Sequence, residues 1–130
     1  MDSFQFSIER FFSVDDVRTV LSESLGVPQS NVFDSDEYWD HAQMEGSVGI
    51  WVMHDDGPFK TIINAYSGLN VSDAELGCLA IRMAAKFESG VLVGDHFSNA
   101  PDLEGRFAVC YPDGSLRFGY EVEGAIEFFE

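Results

Sequence analysis

Positive charge is what this chain has least of: 7 Lys and Arg stand against 23 Asp and Glu, a formal net charge of −16 at pH 7. No Lys or Arg occurs between Arg18 and Lys60, a stretch that holds Glu23, Asp34, Asp36, Glu37, Asp40, Glu45, Asp55 and Asp56. A second acidic stretch, Glu121, Glu123, Glu127 and Glu130, follows the last base, Arg117. Such a chain repels phosphate backbones and anionic lipid, so direct binding to nucleic acid or to a membrane surface is disfavoured. It is steered instead toward a basic partner.

Cysteine is also scarce. Cys78 and Cys110 lack metal-ligand spacing, which predicts reduced, partly buried thiols in a cytoplasmic protein. No apolar run approaches the ~18–20 residues of a membrane span. The N-terminus has no basic residue before Arg10 and no long apolar stretch, so no secretory signal is expected.

Catalytic and metal motifs are missing too. The chain has no nucleophile elbow, no phosphate-binding glycine loop and no paired zinc-binding histidines. His41, His54 and His96 never fall at helical or strand spacing, and Asp34-Ser35-Asp36 lacks the glycine and terminal Glu of a calcium loop. Cys110, two residues from a turn, reads as a packed thiol and not as a nucleophile. We therefore expect a non-enzyme with no metal and no cofactor.

What is present is enough to fold. The chain has 130 residues, 45% of them hydrophobic and 12 of them Phe, which fits one domain spanning 1–130 with a buried core and argues against disorder. Phe4, Phe6 and Ile8 alternate with polar residues as in a half-buried strand. Ser13 with Asp16 opens a helix over about 14–25, stopped by Gly26 and Pro28. Residues 29–40 read as a polar loop entering an edge strand near 37–44. Residues 47–53 and 59–66 pair as a hairpin about Asp55-Asp56-Gly57-Pro58, with Gly46 and Gly49 suggesting a bend or bulge in the first arm. In this hairpin Trp51 is expected in the core.

Ser72-Asp-Ala-Glu75 is a capping box, and Leu76, Leu79, Ala80, Met83, Ala84 and Phe87 repeat at helical spacing until Gly90 ends the helix. A strand at 91–93 follows. Residues 106–111 and 115–122 then flank the turn Pro112-Asp113-Gly114, and a last strand or turn fits Ala125 to Glu130. The order β-α-(β)-β-β-α-β-β-β predicts an α+β fold: one mostly antiparallel sheet with two helices on one face. Edges near 37–44 and 115–122 leave monomer and homodimer both open.

The segment Asp34-Ser-Asp36-Glu37-Tyr38-Trp39-Asp40 combines four carboxylates with two large aromatics. That composition suits an interface, where aromatics ringed by polar groups anchor a partner and carboxylates meet its Arg or Lys. The sequence leaves open whether Tyr38 and Trp39 face a partner or pack inward. Asp55 and Asp56 are turn residues first and secondary candidates for the same contact.

Over residues 72–122 the chain resembles small immunity proteins of bacterial polymorphic toxin and contact-dependent inhibition systems. The resemblance lies in Lys86-Phe-Glu-Ser-Gly90, the strand Val91-Leu-Val-Gly-Asp95, the loop with Asn99-Ala-Pro101, and the hairpin from Val109 to Arg117. It implies an antitoxin that occludes a basic toxin domain, and it transfers no binding residue position by position. Two other readings remain: an acidic nucleic-acid mimic that inhibits a nuclease, and a small enzyme or small-molecule-binding domain.

Overall fold

The computed structural model describes residues 2–34, 47–67, 72–94, 106–122 and 125–128. Its elements are β1 (Asp2–Ile8), α1 (Val14–Leu25), a single 3-10 turn (Gln29–Asn31), β2 (Val32–Asp34), β3 (Val48–His54), β4 (Thr61–Ser67), α2 (Asp73–Phe87), β5 (Val91–Gly94), β6 (Arg106–Cys110), β7 (Leu116–Val122) and β8 (Ala125–Phe128). The eight strands form one sheet in the order β2-β3-β4-β1-β5-β6-β7-β8. All pairings are antiparallel except β2 with β3.

The α+β expectation holds, and topology explains why both helices share a face. By these pairings β1 runs parallel to β2, and β4 runs parallel to β5 in the opposite direction. The α1 crossover moves one way across the sheet and the α2 crossover moves the other way. Reversing both strand direction and travel preserves handedness only over a common face, so a shared right-handed rule puts α1 beside α2. The two helices do touch.

Between helices and sheet lies the core: Phe6, Ile8, Val17, Leu21, Ile50, Ile63, Leu79, Met83 and Val91 are among its fully buried side chains. Each such side chain contributes roughly 1.5–3 kcal/mol of burial. The helix starts are local. Ser13 Oγ accepts from Asp16 N–H and Ser72 Oγ from Glu75 N–H, each at 3.2 Å. Gly26 closes α1 in the left-handed region at φ 71°, its N–H donating to the Ser22 carbonyl.

Several local expectations are corrected. The left-handed residue ending α2 is Glu88, φ 52°, and not Gly90. A Cβ at Gly90 would meet the carboxylate end of the Glu9 side chain, a flexible group that can swing aside, and the Glu9 backbone N–H donates to the Gly90 carbonyl at 3.0 Å. Val32–Asp34 forms a strand inside the stretch expected to be loop, while the edge strand expected near 37–44 lies outside the described residues. The β3–β4 register is unbroken from Val48 to His54, so there is no bulge at Gly49. Leu116–Val122 is not an edge, because β6 and β8 flank it; β2 and β8 are the outer strands.

At the β6–β7 hairpin, Asp113 Oδ1 accepts from Ser115 N–H at 2.9 Å and Ser115 O–H at 2.6 Å. These bonds hold its carboxyl below the usual carboxylate range.

Candidate functional site

The exposed end of β3 is where acid, aromatic and backbone order meet. Thr61, fully buried at the start of β4, organises it. Its Oγ1 accepts from Phe12 N–H at 2.9 Å and donates to the Arg10 carbonyl at 2.8 Å. Arg10 N–H in turn donates to Ser89 Oγ at 3.3 Å. The Phe12 ring packs on Phe87 at 4.4 Å, and the Arg10 guanidinium lies over Phe12 at 5.7 Å. With residue 12 turned inward, Phe11 faces outward and is 63% exposed.

His54, the last residue of β3, meets this segment. Its Nε2–H donates to the Phe12 carbonyl at 2.8 Å, and its ring stacks on Phe11 at 4.3 Å. Because a carbonyl only accepts, that bond assigns the proton to Nε2 in the neutral ring and leaves Nδ1 as the acceptor. Asp55 and Asp56 follow directly, both exposed. Asp55 N–H donates to the Lys60 carbonyl at 3.1 Å, and Asp56 N–H donates to Asp55 Oδ1 at 2.8 Å. The result is a stacked aromatic pair with two carboxylates alongside, held by a buried hydroxyl.

The site residues expected from sequence divide three ways. Asp55 and Asp56 sit together in this corner. Asp34 is exposed at the end of β2, level with Ile50, and so roughly 16 Å along the same sheet edge from Asp55. Asp36, Glu37, Tyr38, Trp39 and Asp40 lie outside the described residues, as do His41 and His96.

Phe11 and His54 were missed as site residues. Phe11 carries no periodic signal, because it stands in the short link between β1 and α1.

Trp51 corrects a core expectation, being 53% exposed. Val48 and Ile50 are buried toward α1 and α2 and Val52 packs against the same core, so strand parity sends Trp51 and Met53 to the opposite face of the sheet. In register, Trp51 pairs with Asn64 and Asn64 with Gln5; Met53 pairs with Ile62, Ile62 with Ser7, and Ser7 with Leu92. A shallow depression of about 230 Å³ opens there, lined by Phe4, Gln5, Asn64, Ala65 and Tyr66. It falls below the ~300–1,000 Å³ of sites for drug-sized ligands.

The thiols differ from one another. Cys110 is buried at the end of β6, and desolvation pushes its pKa up to about 11, so at neutral pH it is a protonated, packed group. Cys78 is exposed on α2, against the expectation of partial burial. Among the described residues no three His, Cys, Asp or Glu converge as metal ligands.

Arg106 and Arg117 lie over the Phe118 and Phe128 rings at 5.9 and 3.9 Å, and Arg18 Nε–H donates to the Val32 carbonyl. Lys86 pairs with Glu23 at 3.1 Å, both well exposed. With 7 bases against 23 acids, the negative charge of the chain is weakly compensated. In comparisons with known protein families, curated proteins and solved structures, no family model, protein or structure matches this chain.

Proposed function

We propose that this chain is a protein-binding inhibitor that neutralises a basic partner by occlusive docking, as in the immunity proteins that residues 72–122 resemble. The observation that carries this reading is the corner at the end of β3, where the exposed Phe11–His54 stack stands beside Asp55 and Asp56. Interface anchors are large aromatics bordered by polar groups, and carboxylates at the border pair with a partner's Arg or Lys. The −16 charge steers that partner in from a distance. Asp34, on the sheet edge leading away from the corner, belongs to the same proposed contact, together with Asp36, Glu37, Tyr38, Trp39 and Asp40.

The test is capture of the partner from the native host on tagged protein, with a salt titration of what is retained. A basic protein held at low ionic strength and released as salt rises is expected. Phe11→Ala combined with Asp55→Asn and Asp56→Asn should weaken retention more than tenfold. A partner indifferent to both salt and these substitutions overturns the proposal.

A further inference from the structure

We infer that Asp56 is a site of spontaneous covalent modification, where its side chain closes on Gly57 and reopens as isoaspartate, while the turn at Asp113 protects the equivalent pair there. The sequence holds two Asp-Gly pairs, Asp56-Gly57 and Asp113-Gly114, and no Asn-Gly pair. In such a pair the glycine has no Cβ to bar the approach of its nitrogen to the Asp side chain. The nitrogen attacks Cγ and an N–Cγ bond forms, while the N–H proton and the carboxyl hydroxyl leave together as water. Water then opens the five-membered imide. Where it adds at the Asp56 main-chain carbonyl, the original peptide C–N bond breaks and Gly57 stays attached through Cγ. One water leaves and one returns, so nothing is oxidised and no other reactant is needed.

The two pairs differ in how they are held. Gly114 N–H donates to the Tyr111 carbonyl and Tyr111 N–H to the Ser115 carbonyl, each at 2.9 Å. Asp113 Oδ1 accepts from Ser115 N–H at 2.9 Å and Ser115 O–H at 2.6 Å, which stabilises the ionised carboxylate, the poor electrophile. Attack there has to break bonds on both the nitrogen and the carboxylate. The link between β3 and β4 is looser. Asp55 N–H donates to the Lys60 carbonyl at 3.1 Å, and residues 56–59 between them form no hydrogen-bonded turn. Among the described residues no hydrogen bond holds Gly57 N–H or the Asp56 carboxylate, and Asp56 is exposed to the water that the second step consumes. Asp55 is not equivalent: its Oδ1 is engaged by Asp56 N–H at 2.8 Å, and the residue that follows it carries a side chain.

The product adds one atom to the backbone of the β3–β4 link and carries its free carboxylate on the main chain, with the net charge unchanged. The corner beside Phe11 and His54 thus changes shape with age at constant charge. This chemistry is independent of what docks there, so its failure leaves the docking proposal untouched, and the reverse.

The test is incubation of the folded full chain in oxygen-18 water at mildly acidic pH. Each passage through the imide fixes one heavy oxygen, and a tryptic digest in ordinary water separates the pairs into peptides 19–60 and 107–117. Fragmentation then places the label. It is expected to accumulate at Asp56 at least about tenfold faster than at Asp113, the factor set by breaking one hydrogen bond to an ionised carboxylate. In urea, where the turn is lost, the two rates should converge. Ser115→Ala should speed labelling at Asp113, and Asp56→Glu, whose ring would have six members, should remove the label at position 56. Equal labelling of the two pairs in the folded protein, or no label at Asp56, overturns the inference. So does a preference for Asp56 that persists unchanged in urea, since it then belongs to the sequence and not to the fold.

Discussion

At the residue scale, Glu88 is the clearest case of a side chain in a backbone conformation it does not favour. Its φ of 52° and ψ of 42° belong to the left-handed region, which costs a non-glycine residue roughly 1–2 kcal/mol. The conformation lets its N–H reach back to the carbonyls of Ala84 and Ala85, and Ser89 N–H to that of Ala84, which closes α2 before the chain enters β5. Glu88→Gly should therefore stabilise the protein by about 0.5–1 kcal/mol, after allowing for the greater unfolded-state freedom of glycine. The urea midpoint measures this, and a lower midpoint would show that the side chain holds a compensating contact.

At the element scale, the far end of the sheet is held by a small second core on the face away from the helices. Phe107 and Val109 of β6 are 5% and 0% exposed. Phe107 meets Phe128 edge-on at 5.8 Å, and the Arg117 guanidinium covers that same ring. Gly119 of β7 lets these groups close together, because a Cβ there would run into the Glu127 carbonyl and would stand 2.7 Å from Phe107 Cζ. Both neighbours are fixed, one as strand backbone and the other as a packed ring. Gly119→Ala should destabilise the protein by about 1–3 kcal/mol through overpacking. Hydrogen exchange should localise the loss to β7 and β8; an unchanged urea midpoint would mean that β8 shifts at no cost. β8 is an outer strand, and this packing on β7 is what keeps it in the sheet.

At the scale of the whole molecule, the charge imbalance sets the response to solution conditions. Most of the described acids sit on the surface, several cations face rings or a carbonyl, and the compact state concentrates like charge more than the unfolded chain does. Salt shortens the reach of that repulsion, from about 30 Å at 0.01 M to 10 Å at 0.1 M. The thermal midpoint should accordingly rise with sodium chloride over this range. A flat or falling midpoint would mean that compensating pairs outweigh the repulsion.

How much of this was legible from the chain depends on how far each signal reaches. The sequence alone determined both helix starts, because Ser13 and Ser72 bond donors three residues away. It determined the Pro112-Asp113-Gly114 turn, the alternation of β1, the α+β class and the acidic field, all properties of local pattern or of a sum over residues. Tertiary structure alone decided which face of β3 is covered. An unbroken apolar run from Val48 to Met53 has no period to read, and only the neighbouring strands and helices turn Ile50 inward and Trp51 outward. It also decided that Phe11 stands exposed against His54, since a link residue acquires its surroundings from a buried Thr61 some 50 positions away. Contacts between residues distant in sequence leave no local trace, and the candidate interface at the end of β3 is built from such contacts.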